Sequence, residues 1–187
     1  GANGNGFSTV KYNIAGVESW ETSLPVTQGA APVAMTLDIR GNIYITGFGI
    51  DSNGTSEFMT VKYDGGGGLK WTAIYDGADA VKPTAIAVDR MGNVYITGVI
   101  AGGTLQDYLT IMYDSAGAEQ WKTRFNGAGS NDDAPVAIAV DGSQNVFVTG
   151  SATGTGSSVD FATIRYSSGG VPVWVRRYNG PRNSADY

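Results

Sequence analysis

Two sets of carboxylates in this 187-residue chain recur at spacings that suggest chemistry. Asp38, Asp89 and Asp141 each stand four residues before an asparagine (Asn42, Asn93, Asn145), a run of oxygen donors that superficially suits calcium. Glu57, Asp107 and Asp160 each immediately precede an aromatic residue. In a closed ring such equivalent acids would converge on the axis or one rim and bind a cation or a basic partner. Asx hydrogen bonds within a turn explain the first set more simply. Solvated loop ends, or local pairing with residues such as Lys62 and Arg165, explain the second. The tryptophans Trp20, Trp71, Trp121 and Trp174 and the tyrosines Tyr12, Tyr63, Tyr113 and Tyr166 are of the kind that stacks on sugar rings. Their fixed spacing fits packing between repeated units better.

Absences narrow the chemistry further. With no cysteine there is no disulfide, thiolate zinc site or cysteine nucleophile. With no histidine there is no Ser-His-Asp triad and no imidazole proton shuttle. A net charge of −5 argues against binding nucleic acid through its phosphates. No apolar run approaches the ~20 residues of a membrane-spanning helix. Catalysis in a repetitive chain shows as a departure in one copy. The departures here, Pro172, Arg176-Arg177 and the stretch "IDSNGTSE", bring together no nucleophile and base. Paired carboxylates for glycoside cleavage depend on spacing in three dimensions. The expectation is a protein that is not an enzyme and carries no cofactor.

These residues are positioned by an internal repeat. "FSTVKY" 7–12, "FMTVKY" 58–63, "YLTIMY" 108–113 and "FATIRY" 161–166 share one pattern, and each closing tyrosine is followed eight residues later by a tryptophan. Before the last three copies lie "VAMTLD" 33–38, "TAIAVD" 84–89 and "VAIAVD" 136–141, each leading into "GNIYITG" 41–47, "GNVYITG" 92–98 or "QNVFVTG" 144–150. The period is about 50 residues. Each unit reads as four short antiparallel strands, with period-two alternation and no helical stripe. Gly41 and Gly92 hold the place in the first turn where positive φ is needed. Gln144 breaks that rule, so its turn is expected to differ or to be strained. A four-stranded sheet of this size cannot bury both faces, and stacking such sheets around an axis solves the problem. The expected fold is an all-β propeller of four-stranded blades: a half blade in 1–31, then blades in 32–81, 82–133 and 134–187.

"DRMGNVYITG", "DYLTIMYDSAGAEQW" and "VWVRRYNGP" resemble the bacterial β-propeller repeat known as SBBP, and the resemblance extends over nearly the whole chain. It implies four-stranded blades and, commonly, an exported or surface-attached protein, but no activity. The absence of cysteine agrees with an extracellular, cell-surface or periplasmic location. Fourteen strands make about three and a half blades. The expectation is a fragment or part of a larger ring, or two copies forming seven blade-equivalents. Loops after the second strand (47–57, 98–107, 150–160) vary most, which makes Asp51, Asn53, Glu57, Gln106, Asp107 and Asp160 the candidate binding residues. The function expected is a structural or protein-interaction scaffold, contacting a protein partner or further blades. A carbohydrate-binding module is the alternative, and a glycan-active enzyme domain is less favoured.

Overall fold

The computed structural model describes residues 6–25, 29–50, 52–75, 77, 79, 81–102, 105–129, 131–154 and 159–180. Alternating apolar and polar residues bounded by glycine or aspartate turns produce fourteen strands, and no helix occurs among the described residues. The first two, β1 (Gly6–Tyr12) and β2 (Glu18–Pro25), form a hairpin. Three four-stranded antiparallel sheets follow in sequential order. They are β3 (Ala31–Leu37), β4 (Ile43–Ile50), β5 (Ser56–Tyr63) and β6 (Leu69–Tyr75); then β7 (Val81–Val88), β8 (Val94–Gly102), β9 (Leu105–Tyr113) and β10 (Glu119–Phe125); then β11 (Ala134–Val140), β12 (Val146–Thr153), β13 (Val159–Tyr166) and β14 (Pro172–Tyr178). This is the all-β propeller architecture, three four-stranded blades and a half blade, with the ring open.

Register is the same in every blade. Thr46 faces Thr60, Thr97 faces Thr110 and Thr149 faces Thr163, and the paired hydroxyls lie 3.3, 3.3 and 3.2 Å apart. The first strands of successive blades adjoin, β3 against β7 and β7 against β11, so they line the axis.

Each apolar core lies between two blades. Phe7 and Trp20 of the half blade pack with Ile43, Ile45, Val61 and Tyr63 of the next. Tyr44, Phe58 and Trp71 pack with Val94, Ile96, Ile111 and Tyr113. Tyr95, Tyr108 and Trp121 pack with Val146, Val148, Ile164 and Tyr166. Burial of these faces, the dominant favourable contribution to folding, therefore requires neighbouring blades.

The turn at Gln144, expected to differ or to be strained, keeps the geometry of its counterparts at the cost of backbone strain. Asp141 N donates to Asn145 O and Gln144 N to Asp141 O, both at 3.0 Å, as in the turns closed by Gly41 and Gly92. Gln144 adopts φ 62°, the left-handed conformation that glycine takes at the other two positions. This conformation costs an L-residue roughly 1 kcal/mol or more. Its side chain offsets that cost: Gln144 Nε2 donates to Asp89 Oδ2 of the preceding blade at 3.0 Å.

Candidate interaction site

The recurring aspartates are turn residues. Asp38 Oδ1 accepts from the backbone N–H groups of Arg40 and Asn42, and its Oδ2 from Asn42 Nδ2 and the Tyr44 hydroxyl. Asp89 repeats the set with Met91, Asn93 and Tyr95, and Asp141 with Ser143 and Asn145. Burial pushes the pKa of Asp38 and Asp89 up, but the accepted hydrogen bonds outweigh it and both lie below the usual carboxylate value. Asp141 is lowered by Asn145 above all. These oxygens already have donors. Among the described residues no group of three or more acids gathers into a metal site.

The candidate binding residues are dispersed. Asp51 lies outside the described residues. Asn53 is exposed in the β4–β5 turn. The expected loop ends are largely extensions of the second and third strands, which corrects the reading of Glu57, Gln106, Asp107 and Asp160 as loop residues. Glu57 pairs in register with Gly49, Gln106 with Ala101, Asp107 with Ile100 and Asp160 with Ala152. Asp107 and Asp160 are 2% and 3% exposed, so they are not solvated ends. The partner of Asp107 is Arg124, with Nε–Oδ2 at 2.5 Å, and Arg124 also lies 3.8 Å from Asp79. Lys62 instead donates to Ser115 O at 3.1 Å, and Arg165 to Asn145 Oδ1 at 2.9 Å.

One polar site escaped the sequence reading. Asp133 is fully buried, and its carboxylate accepts the N–H groups of Gly127 and Thr153. Desolvation raises its pKa against those bonds, with the Asp107 charge adding to the rise. It stands two residues before Pro135, where the other blades have Ala30 before Pro32 and Val81 before Pro83. That charged departure from an apolar position was the available signal. Sealed from solvent, Asp133 ties the blade junction to Thr153, whose carbonyl also accepts from Arg177 at 3.0 Å.

The aromatic series forms an interlock. Trp20 Nε1 donates to Gly65 O, Trp71 Nε1 to Ser115 O and Trp121 Nε1 to Ser168 O, at 3.2, 3.1 and 2.9 Å, each in the third-to-fourth-strand turn of the next blade. A methyl on the turn glycine, Gly67, Gly117 or Gly170, would lie 2.9, 2.8 or 2.5 Å from that indole. Tyr113 and Tyr166 meet the same indoles at centroid distances of 6.5 and 6.3 Å. A second lock lies nearer the axis, where Phe7, Phe58 and Tyr108 rest on Gly47, Gly98 and Gly150 of the next blade.

Both locks are half-made at the ends of the array. Tyr63, Tyr113 and Tyr166 are buried, whereas Tyr12 is 59% exposed. Phe161, whose counterparts Phe7, Phe58 and Tyr108 are buried, is 42% exposed. Trp174 meets Phe147 and Arg176 of its own blade. Of the exposed large apolar side chains among the described residues, all but Leu69, Ile74 and Met91 belong to the first hairpin, to β3 and its turn, or to the last sheet.

A crystal structure of a protein of unknown function from Bacteroides caccae is similar in fold, with a TM-score of 0.54 at 14% identity over 89% of this chain. The chain spans about half of that structure, 52% of its length. No curated protein matches. Two stretches of the chain, residues 70–103 and 120–156, match the family model of the SBBP beta-propeller repeat.

Proposed function

We propose that the chain is a non-enzymatic propeller scaffold of an exported, periplasmic or cell-surface protein, and that it engages a protein partner or further propeller blades, of the same or another chain, through the two end faces of its blade array. The observation that carries this reading is the concentration of exposed apolar side chains there. Val10, Tyr12, Ile14 and Met35 stand at one end, and Phe161, Val171, Val173 and Tyr178 at the other. Contiguous apolar surface on a folded protein is characteristic of interaction sites. Trp71 and Trp121, the residues a carbohydrate module would need, are engaged with the next blade's turn. The absence of cysteine agrees with export.

Cross-linking mass spectrometry on the native assembly tests this, with oligosaccharide titration of the purified protein as a second arm. Cross-links to partners are expected near Lys11 at the starting end and around β14, with no saturable sugar response. Contacts confined to the hairpin tips near Asn53 and Gln106, or saturable sugar binding that quenches tryptophan fluorescence, would replace the reading.

A further inference from the structure

We propose that Met91 is an oxidation site. A hydroperoxide converts its thioether to the sulfoxide, and the new oxygen accepts from the Gln144 side-chain amide, tightening the join between the β7–β10 and β11–β14 blades. The site lies between two complete blades, away from both end faces, and goes beyond the scaffold reading without resting on it.

Two departures from the repeat meet at this join. Met91 stands in its turn where the corresponding turns carry Arg40 and Ser143, and Gln144 stands where they carry Gly41 and Gly92. Gln144 is also the non-glycine residue with positive φ among the described residues. The strained turn aims its side chain across the join, with Nε2 3.0 Å from Asp89 Oδ2 and 3.5 Å from Met91 Sδ. A primary amide carries two N–H donors, so one is available to each acceptor. The acceptors are unequal. The Asp89 carboxylate is strong and 7% exposed, whereas a thioether sulfur accepts only weakly. At the preceding join Gly92 has no side chain to reach across, and Arg40 offers no sulfur.

Met91 is open to a small oxidant. It is 64% exposed, against 4% for Met59 and 8% for Met112. A cleft of about 250 Å³ lies beside it, lined by Asp89, Arg90, Asp141, Ser143 and Gln144 among others. A sulfur lone pair attacks the terminal oxygen of the hydroperoxide, and the S–O bond forms as the O–O bond breaks. The sulfur is oxidised by two electrons and the peroxide is reduced. The proton of the transferred oxygen passes to the leaving oxygen, which departs as water or an alcohol. The flexible side chain then turns the sulfoxide oxygen to Gln144 Nε2 with the backbone in place. Methionine oxidation usually disrupts packing because it makes an apolar side chain polar. Here the side chain already stands in water beside a donor, so the sign is reversed.

The test treats the 187-residue chain with hydrogen peroxide and follows oxygen uptake by peptide mass spectrometry. Met35, 58% exposed, is silenced by the volume-conserving Met35→Leu. Met91 is expected to take up one oxygen before Met59 or Met112 does. Tm is expected to rise by about 2–4 °C, the worth of one hydrogen bond in a chain of this size. The side-chain amide resonances of Gln144 should shift, and methionine sulfoxide reductase should reverse both changes. Gln144→Gly restores the residue its counterpart turns carry, so that chain is expected to fold and to be oxidised at Met91 without the gain in Tm. The proposal is overturned if Met59 or Met112 reacts ahead of Met91, if Tm falls or stays level with Gln144 in place, or if Gln144→Gly shows an equal gain. Should that variant fail to fold, the Gln144 resonances decide: no shift on oxidation of Met91 overturns the proposal.

Discussion

The turns at Gly117 and Gly16 are the same piece of structure in two settings. Each is closed by the same pair of backbone hydrogen bonds, at 2.9 and 3.0 Å, and the two glycines have φ of 88° and 74°. A methyl on Gly117 would run into the indole of Trp71, whereas one on Gly16 would meet nothing within 4 Å. The comparison teaches that the conserved geometry of a turn in this repeat belongs to the blade, while its tight fit belongs to the neighbour. A blade is thus half of two interfaces. Tyr12 and Phe161 are exposed where no neighbouring blade among the described residues covers them, whereas Tyr63 and Phe58, at the same repeat positions, are buried.

The largest effect expected from this contrast is at the inner lock. Phe58→Ala would empty the space over Gly98 between two blades and is expected to cost about 3–5 kcal/mol, the range for a buried phenylalanine. Phe161→Ala, at the same repeat position on the open face, should cost about 1 kcal/mol or less. Denaturant unfolding of the two variants measures both values. Equal losses would break the contrast, because they would mean that the face bearing Phe161 is covered in solution.

Next comes the turn. Gly16→Ala forces an L-residue into the left-handed region and is expected to cost about 1 kcal/mol. Gly117→Ala has the same conformational cost, and its methyl would also lie 2.8 Å from Trp71. Displacing a packed indole adds about 1–3 kcal/mol. The difference between the two variants isolates the interblade contribution. Tryptophan fluorescence should shift for Gly117→Ala and stay unchanged for Gly16→Ala.

The blade was legible in the sequence because its signals are local: alternation, a turn glycine at fixed distance from a tyrosine, and a tryptophan eight residues on. Even the awkward Gln144 was legible as an exception, although the cross-blade bond to Asp89 that makes it tolerable was not. What the sequence hid is which side of the sheet each residue serves. Asp107 and Asp160 read as loop acids because the glycine and serine residues before them suggest a loop. The strands in fact reach that point, and both carboxylates are buried there. Asp133 is legible only beside Val81, its counterpart one repeat earlier, and not from its neighbours in sequence.

The smallest effect concerns the turn acids, and it carries a pH signature. Asp89 accepts from its own turn, from the Tyr95 hydroxyl and from Gln144 of the next blade, whereas Asp141, its counterpart in the last blade, accepts from Ser143 and Asn145 and has Phe147 in place of the tyrosine. Asp89→Ala should therefore destabilise more than Asp141→Ala at neutral pH, by roughly 2 kcal/mol for the two additional hydrogen bonds. Both carboxyls have pKa values lowered by folding. A lowered carboxyl contributes stability that is fully present above its unfolded value, near 4, and is lost as pH falls through the folded value below it. Each alanine variant should thus lose its deficit relative to the parent protein as the unfolding experiment is moved from pH 7 to below 4, and the gap between the two variants should close with it. A gap that persists undiminished in acid would mean that Asp89 acts through packing and not as an ionised acceptor, and the interblade bond to Gln144 would then contribute little to the join.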